Sequence, residues 1–134
     1  MDNLQLAQVF ENIANLLSIK GEATYRVAAY RRVSENLRSL ATEAEVLQQE
    51  GRLREIPGVG EAISKKIEEL LQTGKLAFFE KLAAEVPSSL LQILQVSDVG
   101  PKRAALFWKE LGITALEDLE EAAREGKLSQ LPGM

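Results

Sequence analysis

Apolar residues recur at intervals of three and four from Leu4 to Leu17, where Leu6, Phe10, Ile13 and Leu17 share a side with Ala7 and Ala14; this predicts an amphipathic helix. Gly21 interrupts the pattern. A second helical segment carries Tyr25, Ala28, Ala29, Val33, Leu37 and Leu40 on one side and Arg26, Arg31, Arg32 and Arg38 on the other. Thr42 followed by Glu45 reads as a capping box for a short third helix holding Val46 and Leu47, ended by Gly51. A helix from Glu61 to about Gln72 places Ile63, Ile67, Leu70 and Leu71 together, and after Gly74 another begins with Leu76, Phe78, Phe79, Leu82 and Ala83. Pro87 breaks the chain. Ser88 or Ser89 is then placed to cap a short helix through Leu90, Leu91, Ile93 and Leu94. Ala104, Ala105, Leu106, Trp108 and Leu111 mark the next helix, and Thr114 with Glu117 opens the last, through Leu116, Leu119, Ala122 and Ala123. No segment alternates with period two, so the expected fold is all-α, built of short helices in two small units, residues 1–86 and 87–134. Tyr25, Tyr30 and Trp108 are expected to be core or half-buried residues, and the acidic run Glu117, Asp118, Glu120 and Glu121 a solvated helix face.

One connection stands out between these helices. Ile56-Pro57-Gly58-Val59-Gly60 joins an apolar residue and a Pro-Gly turn to a second glycine that opens a helix carrying Lys65 and Lys66. Glycine permits positive φ and removes the Cβ that keeps a ligand off the backbone, and a side chain at Gly60 is expected to crowd the turn. A helix N-terminus adds unpaired N–H groups and a positive dipole end, which together suit a phosphate.

The connection recurs. Glu50-Gly51-Arg52-Leu53-Arg54-Glu55-Ile56-Pro57-Gly58-Val59 aligns with Glu125-Gly126-Lys127-Leu128-Ser129-Gln130-Leu131-Pro132-Gly133-Met134. A weaker copy, Val96-Ser97-Asp98-Val99-Gly100-Pro101, is followed by the basic pair Lys102 and Arg103. There Asp98 stands in place of the first glycine, so this copy is expected to bind an anion more weakly, or Asp98 to cap the helix at Pro101. The last copy stops short of its second glycine, from which the chain is expected to be the N-terminal piece of a longer protein.

Composition narrows the chemistry. Hydrophobic residues make up 46% of the chain and aromatic residues 5%, enough for a mainly aliphatic core. With no cysteine and no histidine, disulfides, Cys/His zinc sites, thiol nucleophiles and His-dependent triads are excluded. No apolar run approaches a membrane span and no signal peptide is evident, so a cytoplasmic protein with no membrane partner is expected. The net charge of -4 does not exclude nucleic acid, because local clustering of basic residues decides binding.

An apolar-Pro-Gly-apolar-Gly turn between short helices resembles the helix-hairpin-helix motif. That resemblance implies backbone N–H groups near Gly58, Val59, Gly60, Val99 and Gly100 holding DNA phosphates without reading sequence, and a monovalent cation (Na⁺ or K⁺) on nearby carbonyls, those of Ile56, Val59, Val96 and Val99. The plainer alternative is a tight helix-helix turn whose glycines serve packing alone. Three features together, Tyr25-Arg26-Val27-Ala28-Ala29-Tyr30-Arg31-Arg32, the first hairpin through Lys66-Ile67, and Thr73-Gly74-Lys75-Leu76, resemble the N-terminal region of bacterial X-family (beta-like) DNA polymerases. The second hairpin with Leu111-Gly112-Ile113 and Leu116-Glu117-Asp118-Leu119 continues the likeness over nearly the whole chain.

The resemblance implies a first domain that binds the 5′-phosphate side of gapped or nicked DNA and a second unit that holds the adjoining duplex. Arg26, Arg31, Lys65, Lys66, Lys102 and Arg103 are the basic residues expected to meet DNA. In some members the first domain is also a 5′-deoxyribose phosphate lyase acting through a lysine Schiff base. Lys66 matches that nucleophile, Tyr30 a tyrosine lining the same pocket, and Arg26 a phosphate-binding lysine. Lys65 and Arg26 are expected to lower the Lys66 pKa by like-charge repulsion. Two departures stand against the activity: Ala62 where lyases carry another lysine, and Lys65 in place of an acidic residue. No cofactor is required by this portion, and a divalent metal belongs only to the polymerase domain, which is absent here. The competing reading is a non-enzymatic helix-hairpin-helix adaptor of another repair or recombination protein. Oligomeric state is not legible.

Overall fold

The computed structural model describes residues 1–96 and 99–131. Its helices are α1 (Asn3–Lys20), α2 (Thr24–Ser39), α3 (Ala44–Gln49), α4 (Glu61–Thr73), α5 (Ala77–Glu85), α6 (Leu90–Ile93), α7 (Pro101–Leu111) and α8 (Leu116–Arg124). Single 3₁₀ turns, Leu53–Glu55 and Leu128–Gln130, follow α3 and α8. Among the described residues there is no strand, and the fold is all-α as the periodicity requires.

α1 is the mast of the fold. Asp2 and Gln5 form a reciprocal capping box at its start, and Gly21, at φ 94°, ends it in the left-handed conformation. Leu6, Phe10, Ile13 and Leu17 are buried as expected, but so are Leu16 and Ile19, because α2, α5, α6 and α7 all pack on this helix. One continuous apolar cluster therefore runs from Leu6 to Leu131. Trp108 packs against that cluster half-buried.

α2 meets α1 through Val27, Tyr30, Val33, Ser34 and Leu37. This corrects the predicted stripe: Ala28 and Ala29 are exposed, and Tyr25 is 80% exposed rather than part of the core. The true stripe starts at Val27 and keeps spacings of three and four from there. Ser34 lies within it because its Oγ donates to the Ala7 carbonyl at 2.7 Å, satisfying a buried hydroxyl while the helices stay close.

The caps also differ from the local signals. Thr42 and Glu45 form no capping box; the Asn3 side chain accepts from the Ala44 N–H at 2.7 Å and donates to the Thr42 carbonyl at 3.0 Å. The start of α3 is thus tied to the start of α1. Likewise Ser89 does not cap α6 but donates to the Thr114 carbonyl, and Asp118, rather than Thr114, is the acceptor at the entry to α8. The start of α3 and the Ser89 hydroxyl thus find their partners across the fold.

The repeat is reproduced in the backbone. Glu50, Gly51 and Arg52 donate to Val46, Gln48 and Leu47, and Glu125, Gly126 and Lys127 donate to Glu121, Ala123 and Ala122 in the same order. Gly51 and Gly126 share φ values of 70° and 73°. Ile56 N–H bonds Leu53, and Leu131 N–H bonds Leu128, so the third copy follows the first up to Leu131. Pro132, Gly133 and Met134 lie outside the described residues.

Candidate nucleic-acid interface

In the first hairpin Ile56 and Val59 are buried and anchor the turn, while the Val59 N–H closes it onto the Ile56 carbonyl at 3.0 Å. The two glycines differ. Gly58 sits at φ 85°, a conformation costly for any residue with a Cβ. Gly60 has φ −96° and ψ −164°, ordinary extended backbone, and a Cβ there would meet nothing within 4 Å. The expectation that a side chain at Gly60 crowds the turn is therefore wrong.

The N–H groups of Gly58 and Gly60 make no hydrogen bond among the described residues, and no side chain caps α4. Ser64 turns its hydroxyl to the Glu61 carbonyl instead. The turn thus gathers unpaired backbone donors at the positive end of a helix.

The described residues of the second hairpin repeat the geometry. Val99 donates to Val96 at 3.1 Å, as Val59 does to Ile56, and Ala104 to Gly100 at 3.0 Å, as Ser64 does to Gly60 at 2.9 Å. Gly100, at φ −97° and ψ 179°, matches Gly60, and Pro101 occupies the first turn of α7 where its missing N–H costs nothing. Lys102 and Arg103 are exposed on that turn, whereas Val96 and Val99 are only half-buried. Asp98, expected either to weaken this hairpin or to cap the helix at Pro101, lies outside the described residues. Of the carbonyls named for a monovalent cation, those of Ile56 and Val96 already accept their own turn's N–H, which leaves each one further lone pair.

Beside the first hairpin lies an aromatic stack. Tyr30 is held between Phe10 and Phe78, with centroid separations of 6.2 and 5.9 Å. Lys66 Nζ stands 4.8 Å from the centroid of Phe78 and the Arg26 guanidinium carbon 6.0 Å from it. Lys66 opens onto a cleft of about 530 Å³ that Ala62, Lys65, Glu69 and Phe78 also line. Arg26 opens onto a second hollow of about 220 Å³, shared with Lys20, Glu22 and Glu85. Phe78 borders both. Sequence reading saw Phe78 only as one apolar position of a helix; its place under two cations depends on how α5 folds back, which Glu69 fixes by accepting the Ala77 N–H at 2.8 Å.

Burial, then the nearby Arg26 charge, lowers the Lys66 pKa below the usual lysine value, and Glu69 opposes the shift. The direction agrees with the expectation but the cause is corrected: Lys65 is exposed and paired with Glu61 at 3.5 Å, and burial comes first. Burial raises the Tyr30 pKa, opposed by Arg26. Arg26 is itself paired with Glu22 at 3.4 Å, and Arg31 is half-buried on α2. The fold thus brings Arg26, Tyr30 and Lys66 together around Phe78, with Lys65 on the rim of the same cleft.

Among the described residues no helix is long and apolar enough to cross a membrane, and no group of three or more acidic, His or Cys side chains is placed to hold a metal ion.

Comparison with known proteins agrees with this geometry. A model of the helix-hairpin-helix domain matches residues 1–76, and one of the SAM-like helix-hairpin-helix tandem matches residues 88–134. The chain is 29% identical to the DNA polymerase/3'-5' exonuclease PolX of Bacillus subtilis over 99% of its own length and 23% of the relative's. It is 27% identical to DNA polymerase lambda of Arabidopsis thaliana over 88% of the chain and 22% of the relative. With DNA polymerase lambda of Rattus norvegicus the figures are 26%, 90% and 20%. The chain therefore spans between a fifth and a quarter of the length of these relatives, at their N-terminal end. With the helix-hairpin-helix domain model covering more than half of the chain and the relatives aligned along nearly all of it, this chain belongs to the helix-hairpin-helix domain family, in the form found at the N-terminus of X-family DNA polymerases.

Proposed function

We propose that this chain binds DNA at gaps or nicks, taking a terminal 5′-phosphate at the Phe78 rim that Arg26 and Lys66 share and phosphodiesters on the two hairpins, as the DNA-holding portion of a repair polymerase. The observation that carries this is the pairing of two hairpins whose described residues share one backbone geometry, each with a glycine N–H unpaired among the described residues, with Lys66 and Arg26 held at the Phe78 ring beside the first. Such contacts fix position on DNA without reading bases. The family supports the choice of ligand. Binding tighter to a gapped duplex than to the same duplex without a gap, and falling steeply with salt, is the expected result. Equal binding to both, or a flat salt response, overturns the reading.

Lys66 is further proposed to act as a 5′-deoxyribose phosphate lyase nucleophile. Its neutral amine adds to the C1′ aldehyde of the ring-opened sugar and water leaves, giving the imine. Loss of a C2′ proton to water then breaks the C3′–O bond, leaving a 5′-phosphate on the DNA, and hydrolysis frees the lysine. The half-buried position and lowered pKa of Lys66 support this role.

A further inference from the structure

The wall of the first hairpin is not in the hairpin. Asn36, on α2, donates from Nδ2 to the Pro57 carbonyl at 2.6 Å. The Pro57–Gly58 peptide is trans, so its carbonyl and its N–H point in opposite directions. Drawing the carbonyl onto α2 therefore turns the Gly58 N–H outward, and that N–H has no partner among the described residues. Arg32, one helical turn before Asn36, also lies against the turn: a Cβ at Gly58 would meet Arg32 Cδ at 3.5 Å, Asn36 Nδ2 at 3.6 Å and Arg32 Cγ at 3.7 Å. The Arg32 guanidinium begins just beyond, on an exposed side chain that forms no ion pair among the described residues.

We infer that α2 completes a second phosphate station at the first hairpin, separate from Arg26 and Lys66 at Phe78: Arg32 is a phosphate-binding residue there, and Asn36 is the positioning residue that presents the Gly58 N–H. The ligand is an internal phosphodiester of the bound strand. A guanidinium offers forked donors to phosphate oxygens, and the backbone N–H supplies a further, directional one. Arg26 by contrast lies over Phe78 and takes the terminal group. Arg31 is half-buried and Arg38 is bound to Glu11 at 2.8 Å, so of these four arginines Arg32 is the one resting on the hairpin. This rests on the reading of the hairpin as a DNA contact.

The test is fluorescence anisotropy on a gapped duplex carrying either a 5′-phosphate or a 5′-hydroxyl, over a range of salt. Arg32→Ala should weaken binding to both ends by the same factor, about tenfold, and reduce the salt slope by about one. Arg32→Lys should restore much of the affinity, and all three proteins should melt at the same temperature. In ¹⁵N spectra the Gly58 amide of the wild type should shift on titration with DNA, and Asn36→Ala should diminish that shift. Wild-type binding with unchanged affinity and slope in Arg32→Ala, or a loss confined to the 5′-phosphate substrate, overturns the second station. A Gly58 amide that does not move on DNA binding overturns the role of Asn36. Failure of the wild type to bind either duplex would instead defeat the reading on which it rests.

Discussion

The two glycines of the first hairpin should separate stability from binding. At Gly58, with φ 85°, alanine must adopt a left-handed backbone, which costs about 1–2 kcal/mol. The nearest atoms a Cβ would meet, at 3.5–3.7 Å, are at ordinary contact distance, so no clash adds to this. The smaller entropy of the unfolded alanine chain offsets about 0.4–1 kcal/mol, leaving a net loss of about 1 kcal/mol. For a domain of this size that is a fall in Tm of about 3–5 °C. At Gly60 the backbone is already extended and the added methyl meets no atom within 4 Å, so Gly60→Ala should melt no lower than the wild type. With a phosphate on the N–H donors of this turn, as proposed, that methyl is expected to obstruct it. Losing one charge-assisted hydrogen bond, about 1.5–3 kcal/mol, weakens DNA binding by about ten- to a hundredfold. Thermal melts followed by circular dichroism and anisotropy with gapped DNA check both arms. Gly60→Ala melting several degrees low, or binding as the wild type does, would refute the division of labour.

Four further substitutions probe the lysine, its charged neighbours and the α1–α3 junction. Borohydride trapping on a pre-incised abasic duplex should cross-link the wild type and not Lys66→Ala; undiminished trapping in the variant excludes Lys66 as nucleophile. Because the Lys66 pKa is lowered, the neutral amine appears at lower pH than in a free lysine, so trapping should rise at correspondingly lower pH; Arg26→Gln removes a repelling charge, raises that pKa and should move the profile to higher pH. Glu22→Gln frees Arg26 from its 3.4 Å partner and should tighten binding to 5′-phosphorylated DNA about two- to fivefold, as fits an exposed ion pair, with no gain for the 5′-hydroxyl form. Asn3→Ala leaves the Ala44 N–H and the Thr42 carbonyl without their partner and should cost about 1–3 kcal/mol in chemical denaturation, with DNA affinity unchanged.

What the sequence could convey follows from the range of the forces involved. Apolar spacing reports a helix whatever surrounds it, so α1 to α8 and the all-α class are legible. The hairpins are legible for the same reason, since Pro-Gly chemistry acts within a few residues. Caps drawn from distant residues are not. Asn3 at α3 and Ser89 at Thr114 are contacts between parts of the chain about 40 and 25 residues apart, and the local Thr-x-x-Glu signal competes with them and loses. In α2 the alanines and Tyr25 offered an apolar side that the fold leaves in solvent, because packing on α1 selects the face that also carries Ser34. Within the site, Lys66, Tyr30 and Arg26 were found through their places in a family motif. Arg32 and Asn36 were not, for their roles arise only once α2 lies against the turn.

The proposed role of Arg26 and Lys66, which flank Phe78, is to receive a terminal 5′-phosphate. It is tested most directly by the affinity of the wild-type chain for a gapped duplex with a 5′-phosphate against the same duplex with a 5′-hydroxyl, each repeated with Arg26→Ala. The account predicts tighter binding of the phosphorylated duplex by the wild type, with the difference abolished in the variant. Equal affinity of the wild type for the two ends would contradict it.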